Sequence, residues 1–85
     1  MFAHIQLLQE QGILLQRPYA DFLRDNIHEL RVRFSQTQYR VLYFFFSRDQ
    51  IVLTHGFQKE SQKVSETEID RAIRYRSDWL TRNAF

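Results

Sequence analysis

Basic side chains recur along the stretch from residue 30 to residue 63, between runs that are rich in β-branched and aromatic residues. Residues 31 to 64 contain six lysines and arginines against two acids, whereas the first thirty residues contain two basic residues against four acids. The formal charge of the whole chain is only +2. A local cluster of cations concentrates positive potential on one part of a surface, where it attracts phosphate groups. This stretch therefore favours a surface that binds RNA.

His55 is the side chain in this stretch that could move a proton near neutral pH, as a general base or a general acid. Its neighbours of the same strand parity, Leu53 and Phe57, are apolar, which equally favours a hydrogen-bonded structural histidine. Both interpretations stay open at this point. His4 and His28 lie far away in sequence, no spacing resembles a metal site, and the chain has no cysteine. We therefore expect no metal and no cofactor.

The length of the chain predicts one domain, residues 1 to 85, with a shallow surface site, because so small a core cannot enclose a deep cavity. No segment approaches the roughly 18 consecutive apolar residues of a membrane-spanning helix, and the N-terminus lacks the features of a secretory signal. These observations predict a soluble cytoplasmic protein without a membrane partner.

Two helices are predicted, one near each end of the chain. Phe2, Ile5 and Leu8 recur at helical spacing, and Gly12 follows where a left-handed C-cap would lie. Residues 19 to 26 could hold a helical turn or a loop and receive no assignment. The sequence from Ser65 to Glu68 fits a capping box, which predicts a helix from Glu66 to about Arg82. Its packing stripe consists of Ile69, Ala72, Ile73, Arg76, Trp79 and Leu80, whereas Arg71, Arg74, Tyr75, Asp78 and Arg82 lie nearer to solvent.

Between the helices, the apolar period changes to two, which is typical of β-strands. From Glu29 onward, apolar residues alternate with acidic and basic ones, as in a half-buried strand, and a later run is apolar on both faces, as in a central strand. Short connections predict antiparallel pairing, so the fold class is α+β, with a small sheet of about three strands flanked by two helices. The predicted strands cover residues 29 to 34, 39 to 47 and 51 to 59, with turns at 35 to 38 and 48 to 49.

Several short motifs occur in a characteristic order along almost the whole chain. They comprise Leu8, Gly12, Leu15 and Pro18, then Glu29-Leu30-Arg31, Tyr39-Arg40-Val41-Leu42-Tyr43-Phe44, His55-Gly56-Phe57, Lys59, Lys63 and Ala72. In combination they resemble the RelE/HigB-type toxins of the phage-derived-protein branch. The resemblance implies a toxin of a type II toxin–antitoxin system, an endoribonuclease that enters the ribosomal A site, cleaves mRNA and is neutralised by a helix-turn-helix antitoxin.

Such a nuclease cleaves RNA by attack of a ribose 2′-hydroxyl on the adjacent phosphate, and cations stabilise the charge that develops. Arg40 and Lys59 match the basic strand positions of the family and are the implied catalytic residues, with His55 as a third candidate. Arg31, Arg33 and Lys63 are auxiliary phosphate contacts, and Tyr43 stacks on a base.

Each of these roles has an alternative. Arg31 and Arg33 fit a solvated strand face, Arg40 fits a salt bridge with a carboxylate, and Tyr43 fits core packing. The alternative for the protein is a non-catalytic, truncated toxin remnant that binds antitoxin or RNA.

Two departures from the family concern the sheet edge and the charge of the site. Family members usually begin with a further strand and helix, which predicts an exposed sheet edge and pairing with a partner or a second copy. Glu60 stands where members commonly have consecutive lysines, and its charge weakens the field of Lys59.

Overall fold

The computed structural model describes residues 2 to 47 and 50 to 83, so the predicted turn at residues 48 and 49 lies outside the described residues. The predicted α+β class with a helix toward each end is confirmed. None of the described helices is both long enough and apolar enough to cross a membrane. The elements are α1 (Phe2–Gln11), a 3-10 turn (Gly12–Leu14), β1 (Ala20–Arg24), β2 (Ile27–Phe34), β3 (Thr37–Ser47), β4 (Gln50–Gln58) and α2 (Glu66–Asn83).

The sheet is antiparallel with the strand order β1-β2-β3-β4, and has four strands where the sequence predicted about three. The additional strand, β1, runs through the stretch that had no assignment. Asp25 and Asn26 form its two-residue turn to β2, with φ angles of 53° and 63°. A turn that matches the twist of a hairpin needs positive φ at such positions, which Asp and Asn tolerate better than most residues. This dipeptide is the signal in the sequence that could have identified the hairpin.

The two faces of the sheet carry two separate hydrophobic cores. The face under α1 buries Leu8 against Leu30 and Tyr43, whereas the face under α2 packs Leu42 and Phe44 against the helix. β3 supplies residues to both cores, as expected for a strand that is apolar on both sides.

α2 begins at Glu66 as predicted, and one half of the capping box is present, because the Glu68 backbone N–H donates to Ser65 Oγ at 3.3 Å. The Glu68 carboxylate lies beside His55 instead, with Oε1 3.4 Å from Nε2. The packing stripe is confirmed for Ile69 and Ala72, which are buried, and for Trp79, which is half-buried. Leu80 departs from the predicted stripe, since 39% of it is exposed. At the other end of the chain, Gly12 has the predicted positive φ, of 55°, at the end of α1.

The sheet register determines which basic side chains lie together. Arg31 of β2 is directly opposite Arg40 of β3, and Arg33 is opposite Gln38, so all three basic residues lie on the same sheet face. The Lys59 backbone N–H donates to Gln38 O at 2.8 Å, which places Lys59 beside them just after β4.

Candidate nucleic-acid interface

A cleft of about 510 Å³ lies where β2, β3 and the segment after β4 meet. It is lined by four of the basic residues that the sequence singled out, namely Arg31, Arg33, Arg40 and Lys59. They come from three different parts of the chain, and strand pairing alone brings them together. The cleft is a shallow surface site, as the chain length predicts.

Glu29 is a buried carboxylate that holds two of these arginines, with only 3% of the residue exposed. Its Oε1 accepts a hydrogen bond from Arg31 Nη2 at 3.1 Å, and its Oε2 lies 3.1 Å from Arg40 Nε. The second contact is an ion pair whose N–H is not aligned for a hydrogen bond. Arg40 is itself 4% exposed and donates through Nη2 to Gln62 O at 2.5 Å. The salt bridge considered as the alternative for Arg40 is therefore present.

The charge left for a ligand comes mainly from Arg33 and Lys59. Arg31 has a second carboxylate nearby, since its Nη2 lies 3.5 Å from Asp21 Oδ2. Within residues 2 to 47 and 50 to 83, neither Arg33 nor Lys59 has a carboxylate at ion-pair distance. In these residues the one side-chain hydrogen bond of Lys59 is from Nζ to the Gln62 side-chain oxygen, at 3.5 Å, and Arg33 is exposed. An anion that enters the cleft therefore meets two cations without acidic partners.

The other residues that line the cleft are aromatic or uncharged. None of them was predicted from the sequence to belong to the site. They belong to α1, the loop before β1, two strands and the loop after β4, so the sequence contains no local pattern that groups them. These residues are His4, Pro18, Tyr19, Val32, Gln38, Tyr39 and Gln62.

Lys63 lies outside this cleft, so its position does not favour the role of auxiliary phosphate contact that the resemblance implies for it. It borders a neighbouring hollow of about 220 Å³ beneath the loop between β4 and α2, and Arg40 borders both spaces. Glu60 borders the same hollow as Lys63 and does not line the cleft of Arg33 and Lys59.

Tyr43 lies on the sheet face opposite Arg40, deep in the core under α1, and 1% of it is exposed. Its ring stacks on His28 with the ring centroids 5.2 Å apart and meets Phe45 edge-on. Burial raises the pKa of its hydroxyl to about 12. A ring this deeply buried offers no face to a nucleobase, so the structure favours the core-packing alternative for Tyr43.

His55 belongs to β4. Its side chain contacts α2 and does not line the cleft. Its side chain is 10% exposed, with Nε2 3.4 Å from Glu68 Oε1 and Nδ1 3.2 Å from Thr54 Oγ1. Its ring centroid is 5.5 Å from those of Phe57 and Tyr75. Burial lowers the pKa of His55, while Glu68 opposes that shift. These contacts favour the structural interpretation over the catalytic one.

The free energy of unfolding should fall as the pH decreases through the histidine range. Burial lowers the pKa of both His28 and His55 below the ordinary value of 6.5. As the pH falls below 6.5, the unfolded chain takes up protons that the folded chain does not, which favours unfolding. Urea denaturation should therefore give a lower free energy of unfolding at pH 5.5 than at pH 7.5, with a smaller difference for His55→Gln. An unchanged difference in that variant would contradict the assignment to His55.

The fold and the cleft define a small α+β protein with a cationic site on one sheet face. This chain belongs to the Phage derived protein Gp49-like (DUF891) family, whose model matches residues 1 to 77. It is a family of RelE-like toxins, so the resemblance found in the sequence is supported at family level, without the RelE/HigB type being distinguished. A comparison with curated proteins gave no match. In the described residues, no group of three or more His, Asp or Glu side chains is arranged to hold a metal ion.

Proposed function

We propose that this protein is the toxin of a type II toxin–antitoxin pair and acts in the cytoplasm as a ribosome-dependent mRNA endonuclease. The observation that supports this most is a pair of cations, Arg33 and Lys59, that have no acidic partner in the part of the chain that the structure describes. They line a cleft whose other two arginines are held by Glu29. The family is consistent with a toxin of such a pair, and it suggests an antitoxin as the partner.

The reaction we propose is an intramolecular transesterification of the RNA backbone. The 2′-oxygen forms a bond to phosphorus, and the bond from phosphorus to the 5′-oxygen breaks. The 2′-hydroxyl loses its proton to water, and the leaving 5′-oxygen takes up a proton from water. Negative charge builds up on the phosphorane oxygens during this step. Lys59 and Arg33 stabilise that charge as positioned cations, and Arg31 and Arg40 add to the positive potential around them.

The openness of the site explains why the ribosome is needed in this proposal. Two cations on a shallow cleft give few contacts to a free strand, and they do not by themselves align the 2′-oxygen with the phosphate. A ribosome that holds the mRNA in an extended conformation supplies this alignment, and correct orientation contributes much of the rate in such reactions.

The alternative function is RNA or antitoxin binding without cleavage. It is favoured by the contacts of Arg40, because this arginine matches a catalytic position of the family yet is buried against Glu29. A cation whose charge is already paired contributes less to a transition state.

The test is to incubate the protein with translating ribosomes on an end-labelled mRNA, with naked mRNA alongside. We expect cuts that depend on ribosomes, because only there is the strand held in place. Arg74→Ala is the control for losing one positive charge outside the cleft, because Arg74 is an exposed residue of α2 that does not line the cleft. The Arg74→Ala protein should cut the mRNA as the wild type does. No cutting by the wild-type protein would contradict the nuclease and favour the binding function.

A further inference from the structure

Two tyrosines in the cleft have no role in the chemistry proposed above. Tyr19, just before β1, is 47% exposed, and Tyr39 is half-buried at the edge of the core under α1. Both rings line the cleft. Neither ring packs against another aromatic ring among the described residues. The cleft therefore has aromatic surface that no other ring of the described chain covers.

His4 gives a second, independent indication of a ligand. It lines the same cleft, and its Nδ1 is buried without a hydrogen-bond partner in the described part of the chain. Buried polar atoms in folded proteins nearly always have a partner. A polar group of a molecule in the cleft would supply one.

The size and the chemistry of the cleft match one nucleotide. Its volume of about 510 Å³ lies within the usual range of small-molecule sites, which is roughly 300 to 1,000 Å³. Aromatic rings bind nucleobases by stacking, and cations bind phosphates. Both kinds of group line the cleft, with Arg33 on the sheet face under α2 and Tyr39 on the face under α1. The Gln38 side-chain amide and the Gln62 amide nitrogen are available to hydrogen-bond to a base edge.

We propose that the cleft is a nucleotide-binding subsite, in which Tyr19 and Tyr39 contact the base of one unpaired nucleotide of an RNA strand while Arg33 and Lys59 bind its phosphate. The nucleotide is unpaired because a base within a duplex is stacked on both sides and cannot reach a protein side chain. That the ligand is RNA rests on the proposed function. In this proposal Tyr19 and Tyr39 bind the base, instead of Tyr43, for which the resemblance implied that role.

The test measures binding of a short fluorescent RNA strand to the isolated protein by fluorescence anisotropy. Every ribose of the strand carries a 2′-O-methyl group, so that the strand cannot be cleaved. Tyr19→Ala should weaken binding by about 5-fold to 150-fold, the usual effect of losing one stacked base. Tyr19→Phe keeps the ring and should retain the wild-type affinity. Tyr39→Leu, which keeps much of the packing volume, should weaken binding in the same direction.

Two controls separate base stacking from other effects. Tyr75 is also exposed, at 40%, but lies on α2 away from the cleft, so Tyr75→Ala should bind as the wild type does. An abasic strand of the same length should bind wild type and Tyr19→Ala equally, because both retain the phosphate contacts. The inference is overturned if wild type does not bind the intact strand, if Tyr19→Ala binds it as tightly as wild type, or if that variant loses equal affinity for the abasic strand.

Failure of this inference can be distinguished from failure of the proposed function. If wild type and Tyr19→Ala both cleave ribosome-bound mRNA and bind the strand equally well, the nuclease stands and the nucleotide subsite is wrong. If the wild type binds the strand in a Tyr19-dependent manner but does not cleave mRNA, the nucleotide subsite stands and the nuclease is wrong.

Discussion

Replacing Lys59 by Ala should lower the rate of ribosome-dependent mRNA cleavage by about 100-fold to 1000-fold, the usual effect of removing one well-placed donor to a developing negative charge. Lys59 is expected to matter this much because no carboxylate lies at ion-pair distance from it among the described residues, so an ion pair does not offset its charge. The measurement is the rate of cleavage of an end-labelled mRNA on saturating ribosomes. The fold should be unaffected, because the one side-chain hydrogen bond of Lys59 among the described residues is to the exposed Gln62.

Lys63→Ala is the matched control for Lys59→Ala. The same charge is lost four residues further along the same loop, but Lys63 is exposed and borders the other hollow. Its cleavage rate should stay close to that of the wild type. Equal rates for Lys59→Ala and wild type would refute the assignment of Lys59, whereas equal losses in both variants would point to a diffuse requirement for positive charge.

Replacing Glu29 by Gln should lower the free energy of unfolding by about 3 to 5 kcal/mol, the typical effect of removing one partner from a buried ion pair. The loss arises because Arg40 is 4% exposed and would keep its charge without the carboxylate beside it. Such a loss is a large part of the roughly 5 to 15 kcal/mol by which native domains are stable. Urea denaturation followed by circular dichroism measures it, at a pH near 7.5, above the range in which the shifted pKa values of His28 and His55 make stability depend on pH.

A double variant distinguishes the ion pair from simple packing at Glu29. Replacing Glu29 by Leu and Arg40 by Met removes both charges together, which often leaves stability unchanged or higher. The double variant should therefore be more stable than Glu29→Gln. Asp78→Asn breaks an exposed ion pair of α2 and should leave stability nearly unchanged. A double variant less stable than Glu29→Gln would show that the pair is not the reason for the loss.

The Glu29 carboxylate stabilises the structure of the cleft but lowers its positive charge. Glu29 holds Arg31 and Arg40 in place, but it also offsets part of their positive charge. Arg33 and Lys59 have no acidic partner among residues 2 to 47 and 50 to 83, so we expect them to have most influence on a phosphate in the cleft. The basic surface therefore stays a prediction, in which Lys59 keeps its role and Arg33 takes the principal role that the resemblance implied for Arg40.

The sequence by itself determined the helices, three of the four strands and the α+β class. These elements depend on periodicity and local capping, as at Ser65 and Gly12, which neighbouring residues along the chain specify. β1 was missed because its turn at Asp25 and Asn26 lacks the glycine that usually marks a tight hairpin. The family assignment also came from the sequence, because the order of its motifs is a property of the chain.

Tertiary structure alone decided which side chains share the cleft. β3 is apolar on both faces, so its sequence could not show that Arg40 faces the cleft while Tyr43 is buried on the other side. The pairing of Glu29 with Arg40 depends on the register between two strands, and His4, Tyr19 and Gln62 join the cleft through the paths of α1 and two loops. Contacts between residues far apart in sequence follow from how whole elements pack, and no local pattern encodes them.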